Sequence, residues 1–371
     1  VRIAILSTIE NSIWAGTEEV WYQFAKYALE NEYEVLVLVH KNVSESDQVK
    51  ELKGQGVKVS IRNPFKPTRL YLAKERYLPE HLKDLKKFKA NVLLINSGSL
   101  LDVNNLPYLK RLVSLVVCKK IFFCHFVADL LVPHDRNAIN TLLNKCESVI
   151  FVSVHNKSLA QRQLANRLPH SCVIPNASKF QLDAPLPFQN GDTVCFASVA
   201  RFETLWKGQD MLLELLSSDK WKARDWRLNL YGSGHDEEYI RGLIEMYGLE
   251  AKVTIKGYKK DVKQLWQTND VLLLPSRGEG MPLAVIEAMM CGKLVVCTDV
   301  GGNKEILEDG VSGFIAENYT VNAFNIALEN AWVKRESWQN IGFQAFKAAN
   351  ELNINNPSKR LLVLINDFVS V

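Results

Sequence analysis

Residues 275–287 read Pro-Ser-Arg-Gly-Glu-Gly-Met-Pro-Leu-Ala-Val-Ile-Glu. An apolar run, Asp270-Val-Leu-Leu-Leu-Pro275, leads into them and has the composition of a buried strand. The loop Ser276–Met281 carries two glycines, Gly278 and Gly280. Pro282 suits the first helical position, where its missing N–H costs nothing. The helix then runs Leu283, Ala284, Val285, Ile286, Glu287, Ala288, Met289, Met290 and stops near Gly292. Positions 283, 286, 287 and 290 share one face. Glu287 therefore sits among Leu283, Ile286 and Met290. A carboxylate there is costly unless something pairs with it. A polyol ligand is one such partner, and the free N–H groups at the helix start suit a phosphate. The alternative is a buried, satisfied Glu287 with an exposed Glu279.

The frame from the strand through Glu-Gly-Met-Pro and Glu-Ala-Met to Val300-Gly-Gly302 resembles the E-x7-E signature of retaining glycosyltransferases of family 4. The resemblance implies the GT-B fold, in which two doubly wound Rossmann-like α/β domains face a central cleft. It places Glu279 beside the donor sugar, with the backbone of Gly280, Met281 and Pro282. It places Glu287 on the ribose hydroxyls of a sugar nucleotide.

The rest of the chain agrees with two α/β domains, and 371 residues exceed one ordinary domain. Strand-like runs at 2–7, 34–39, 57–61, 91–96, 120–124, 148–152 and 172–174 alternate with helical patterns. Pro185, Pro187 and Gly191 mark a linker within 178–193, and a second series starts at Thr193. It continues at 227–231, 253–255, 271–274 and 294–297. Val-, Ile- and Leu-rich strands between helices imply parallel sheets covered on both faces. The expected domains are 1–187 and 188–356. The resemblance to GT-B implies that the helix at 357–371 crosses back to the first domain.

Val199-Ala-Arg201 ends a strand, and Lys207-Gly208 follows it. Two cations there can clamp a diphosphate, and the family has an Arg and a Lys-Gly in this context. The alternative is two surface cations. Tyr231-Gly-Ser-Gly234 resembles the family's tight G-x-G turn, and Tyr258 falls where the family packs on the nucleotide base. Arg277 reads equally as a donor contact or a surface charge. In the first half, Trp14-Ala-Gly-Thr17 stands where the family has paired glycines, so Gly16 is the expected approach to donor phosphate. His125, after strand 120–124, matches a family histidine that faces the reacting sugar; a satisfied core histidine is the alternative. Ser97, Ser153 and Asn176 also end strands.

The seven cysteines, 118, 124, 146, 172, 195, 291 and 297, are scattered and form no C-x-x-C pair, which suits reduced thiols in a cytoplasmic protein. No Asp-x-Asp or His/Cys ligand spacing is present, so no metal or other cofactor is expected. No run reaches the about 18 apolar residues of a membrane span, and 1–7 reads as an opening strand rather than a signal peptide. Residues 1–187 carry +8 and the remainder −4. Residues 58–90 hold ten basic and three acidic groups, with Tyr71, Tyr77 and several leucines interleaved. The first reading of that composition is a solvated helical face; peripheral contact with an anionic membrane surface is the alternative. No nucleic-acid motif accompanies the charge.

The expected activity is therefore metal-independent, retaining transfer from a nucleotide sugar to a glycan or lipid-linked acceptor. Glu279, His125, Arg201 and Lys207 form the catalytic set. The rival classes are a non-catalytic sugar-nucleotide-binding protein and a nicotinamide-dependent oxidoreductase. The second needs a G-x-G-x-x-G after a strand, and Ser7–Thr17 has only Gly16.

Overall fold

The computed structural model describes residues 1–10, 14–62, 79–129, 133–189, 191–354 and 356–369. The chain divides into two units, Val1–Asn176 with Asn355–Val371, and Ala177–Ile354.

The first unit contains β1 (Arg2–Ser7), β2 (Glu34–His40), β3 (Lys58–Arg62), β4 (Val92–Ser97), β5 (Lys119–Cys124), β6 (Ser148–Phe151) and β7 (Ser171–Val173). They form a sheet of order β3-β2-β1-β4-β5-β6-β7, with parallel pairings. The second unit contains β8 (Val194–Val199), β9 (Trp226–Tyr231), β10 (Val253–Ile255), β11 (Val271–Leu274), β12 (Leu294–Thr298) and β13 (Phe314–Ala316). Their order is β10-β9-β8-β11-β12-β13, again parallel. Strand order reverses at β1/β4 in one sheet and at β8/β11 in the other. Such switch points are where ligands bind beyond the carboxyl ends of the strands.

The apolar runs that predict central strands are buried on both faces. Ile3–Leu6, Val92–Ile95 and Val271–Leu274 are all at most 1% exposed. The second core adds large aromatics. Phe196 lies 6.0 Å from Trp226, and Trp221 meets Trp332 edge-on at 5.4 Å. Arg224 covers the Trp221 ring at 4.1 Å and is fixed bidentately by Glu329.

The composition break predicts a boundary at 187/188, yet the chain divides after Asn176. Residues 177–187 pack on the second unit because their apolar side chains find cover there. Phe180, Leu182 and Leu186 lie against its core. Leu186 N–H donates to Cys291 O at 2.9 Å, and Lys293 Nζ donates to Pro187 O at 2.6 Å. The terminal helix Pro357–Val369 belongs to the first unit, and Ile365 is fully buried. Tyr33 Oη donates to Asn366 Oδ1 at 2.7 Å, and Arg360 Nη2 donates to Val173 O at 2.9 Å.

Of the basic stretch 58–90, residues 63–78 lie outside the described residues. Helix Pro79–Phe88 turns Leu85 and Phe88 into the core and leaves Lys83, Lys86 and Lys87 exposed. Among the described residues no helix is long and apolar enough to cross a membrane.

Candidate functional site

Two loops meet at the β8/β11 switch point. The loop after β8 holds Arg201 and leads through the short helix Thr204–Lys207 to Gly208. The loop after β11 runs Pro275–Pro282. Gly208 has φ +67°, and a Cβ there would stand 2.1 Å from Pro275 O. Only glycine allows this contact without displacing backbone. On the other side, Gly301 has φ +55°, and its Cβ would stand 2.4 Å from Glu279 O and 2.6 Å from Gly280 O. Gly302 N–H donates to Gly280 O at 2.7 Å, and Thr298 Oγ1 donates to Ser276 O at 2.6 Å. The loop carrying Glu279 is thus clamped from both neighbouring strands.

Glu279 is 8% exposed. Its Oε1 accepts from Lys207 Nζ at 2.7 Å and from Ser276 Oγ at 2.7 Å. A buried carboxylate requires such partners; Ser276 lies in the same loop, whereas the pairing with Lys207, 72 residues away, is not legible in sequence. Glu287 is also 8% exposed and faces Lys179 Nζ at 3.8 Å. Lys179 was not among the expected residues.

Pro282 is not the first helical residue. Its ψ of 122° is extended, which makes it the N-cap of helix Leu283–Met290. No side chain caps that end. With proline at the cap, the first N–H groups of Leu283 and Ala284 are available to an anion. Gly280 and Met281, within this loop, are buried.

Arg201 differs from Lys207. Its side chain is 48% exposed and pairs with Glu203 at 2.8 Å, a contact contributing about 0–1 kcal/mol and easily exchanged. Arg277 resolves as a structural cation. It holds Asp210 bidentately at 2.9 and 2.7 Å and donates to Thr204 O at 2.7 Å. The Asp210 carboxylate raises its pKa further. Gly232 and Gly234 lie against the backbone of Ala200 and Phe202, consistent with a tight turn. Tyr258 follows Gly257 and is 64% exposed.

Gly16 and His125 lie in the first unit. Gly16 opens helix Gly16–Glu30 and is exposed. The first turn already holds an acid. Glu18 is fully buried and accepts from Ser7 Oγ at 2.6 Å and Thr17 Oγ1 at 2.5 Å. Desolvation raises its pKa. His125 is buried, and its Nε2 lies 2.7 Å from Asn96 Oδ1. Asn96 Nδ2 donates to Thr17 O at 3.3 Å, which turns the amide oxygen toward the ring. Nε2 therefore carries the proton. Nδ1 is left as a buried acceptor with no partner among the described residues. Desolvation lowers the His125 pKa to about 3, so the ring is neutral near pH 7. The simple core-histidine alternative accounts for one nitrogen only.

Among the described residues no group of three or more His, Cys, Asp or Glu converges as metal ligands would.

Residues 184–348 match the family of glycosyl transferases, group 1. An uncharacterised glycosyltransferase of Haemophilus influenzae is 33% identical over 117 residues, covering 31% of this chain and 33% of that protein. The poly(glycerol-phosphate) alpha-glucosyltransferase of Bacillus subtilis is 28% identical over 146 residues, covering 39% of this chain and 22% of that protein. The chain thus spans a third or less of the length of these curated relatives. The crystal structure of Anabaena HepE in complex with UDP is similar over 99% of this chain and 100% of that one, with TM-score 0.75 at 18% identity.

The fold is GT-B. The matched segment lies within the second unit and contains Arg201, Lys207, Glu279 and Glu287.

Gly301→Ala forces a Cβ into the Glu279–Gly280 backbone and should lower unfolding free energy by about 2 kcal/mol or more. Urea denaturation measures this. An unchanged midpoint would show that the loop is not clamped there.

His125 carries a sign-definite pH effect. Its native pKa lies below the ordinary 6.5, so the unfolded chain binds the extra proton and stability falls as pH drops from about 6.5 toward 3. His125→Gln should flatten this loss by an amount on the order of 3 kcal/mol by pH 4. Parallel pH profiles of wild type and variant would contradict the assignment.

Proposed function

We propose that this chain is a metal-independent retaining glycosyltransferase of hexosyl type. It moves a sugar from a nucleotide-sugar donor to an acceptor hydroxyl on a glycan or lipid-linked sugar. The observation that carries this reading is the buried Lys207–Glu279 pair beside the uncapped helix that bears Glu287.

In this reading Glu287 takes the ribose hydroxyls, exchanging its long contact with Lys179 for two short hydrogen bonds. Lys207 has three donors. One stays on Glu279, and the others hold the diphosphate. The helix start adds N–H groups and a partial positive charge, so the leaving diphosphate is stabilised without a metal. Arg201 leaves Glu203 to join it. Glu279, oriented by Lys207 and Ser276, positions the sugar together with the backbone of Gly280 and Met281. Tyr258 offers an exposed ring to the base. The leaving phosphate oxygen takes the acceptor's proton on the face it departs from, which gives retention without a protein nucleophile. Rate enhancement is then electrostatic and positional. His125, neutral with a bare Nδ1, accepts a hydrogen bond from a sugar hydroxyl. The likeness to a UDP-bound structure supports the donor class.

Donor hydrolysis and calorimetric nucleotide binding test this set, after a thermal-shift screen of UDP-, GDP- and ADP-sugars selects the donor. Glu287→Ala should weaken nucleotide binding strongly, and Glu279→Gln should lower turnover more than binding. Lys207→Ala should cost about 2–4 kcal/mol of transition-state stabilisation. Arg201→Ala should cost less, since its charge is half-exposed and already screened. EDTA should leave turnover unchanged. Wild-type rates in the glutamate variants, or a strict Mg²⁺ or Mn²⁺ requirement, would contradict the reading.

A further inference from the structure

Arg62 ends β3, and its partner in register is His40 at the end of β2. Paired residues of parallel strands leave the sheet on one face, as does Ser60 two residues earlier. The Arg62 guanidinium lies over the Tyr108 ring, 4.5 Å from its centroid. Nη1 is bonded to the Glu10 carboxylate. Nε and Nη2 are buried and have no partner among the described residues. These two nitrogens share one edge of the guanidinium plane. They form a two-donor fork, the shape that receives both oxygens of a carboxylate or two oxygens of a phosphate.

The open fork is unlike the other well-buried guanidinium groups. Arg277 and Arg224 each spend a fork on a carboxylate, Asp210 and Glu329 respectively. Arg62 is equally desolvated yet half used. Its neighbours are unfinished in the same way. The Tyr108 hydroxyl is buried without a partner among the described residues. His81 bonds Ser60 through Nδ1 at 2.8 Å, and its Nε2 is buried without a partner among the described residues. Burial and the Arg62 charge hold His81 at about pKa 4 and lower His40. Both rings are therefore neutral near pH 7; Glu10 pairs with Arg62, while Asp84 acts on His81 and Asp102 on Tyr108 from the edges of the cluster. Buried polar atoms are nearly always paired in folded proteins. Four polar atoms unpaired among the described residues, two of them a preformed fork, give this cluster the donor set of an anion site.

We propose that this cluster is an oxyanion-binding subsite anchored by Arg62, which takes the carboxylate or phosphate of an acidic acceptor. The acceptor role rests on the glycosyltransferase reading above; the anion site itself does not. Glu10 and the Tyr108 ring hold the guanidinium in place. The Nε/Nη2 fork binds the oxyanion, and the Tyr108 hydroxyl and His81 Nε2 are further donors for its remaining oxygens.

The test titrates the full chain by calorimetry with three probes: methyl β-D-glucuronide, glycerol 1-phosphate and methyl β-D-glucoside. At least one anionic probe should bind and the neutral glucoside should not; the one that binds tells carboxylate from phosphate. Arg62→Gln combined with Glu10→Gln removes both members of the ion pair and leaves no orphaned charge. It should weaken anion binding roughly thirty-fold or more. Tyr108→Phe keeps the ring under Arg62 and should also weaken binding, which keeps the test decisive if the double variant does not fold. Failure of both anions to bind, or equal binding of anion and glucoside, overturns the proposal. So does unchanged anion affinity in both variants. Donor hydrolysis is followed in parallel. Anion binding without donor turnover sinks the glycosyltransferase reading and leaves the subsite standing; turnover without anion binding does the reverse.

Discussion

The Lys207–Glu279 ion pair is the constraint on which the geometry of the second unit's site depends. Each partner is more than four-fifths buried, and neither charge is tolerable there alone. Their 2.7 Å contact joins the loop after β8 to the loop after β11 across the point where strand order reverses. Ser276 fills a second lone pair of the same oxygen. The backbone then closes around this pair. Gly208 lets one loop approach Pro275, and Gly301 lets the chain after β12 approach Glu279 and Gly280. A reagent that binds here meets groups already oriented, so little reorganisation remains for the reaction itself.

The two units use buried polar groups differently. In the second, charges are closed in pairs: Arg277 with Asp210, Arg224 with Glu329, Lys207 with Glu279. In the first, burial raises the pKa of acids and lowers that of histidines. Glu18 and Asp102 both have raised pKa values from desolvation, although Ser7 and Thr17 hydrogen-bond one and Thr8 and Ser97 the other. His125 and His81 have lowered ones. Neutral histidines with one nitrogen unpaired among the described residues suit hydroxyl and oxyanion recognition. Closed ion pairs suit a site that must hold its shape while a diphosphate arrives.

Much of this was legible in the chain because local pattern carried it. Runs such as Val271–Leu274 read as central strands, and the 275–287 frame places Glu279 on the loop and Glu287 on the helix that follows. Interactions across long separations were not legible. Nothing near Glu287 in sequence announces Lys179, and nothing near Arg277 announces Asp210, which turns a candidate ligand contact into a strut. Pro282 shows the limit at one residue: composition permits it at the first helical position, but its extended ψ makes it the cap. The unit boundary moved for a related reason. Proline and glycine marked 178–193 as irregular, but irregular backbone still packs when it carries Phe180, Leu182 and Leu186.

The most direct test of the central claim is a crystal structure of the full chain with a saturating nucleoside diphosphate, without divalent metal. The account predicts ribose hydroxyls within hydrogen-bond distance of the Glu287 carboxylate. It also predicts diphosphate oxygens on Lys207 Nζ, with the Lys207–Glu279 contact retained. A nucleotide bound elsewhere, or no nucleotide density at saturation, would contradict it.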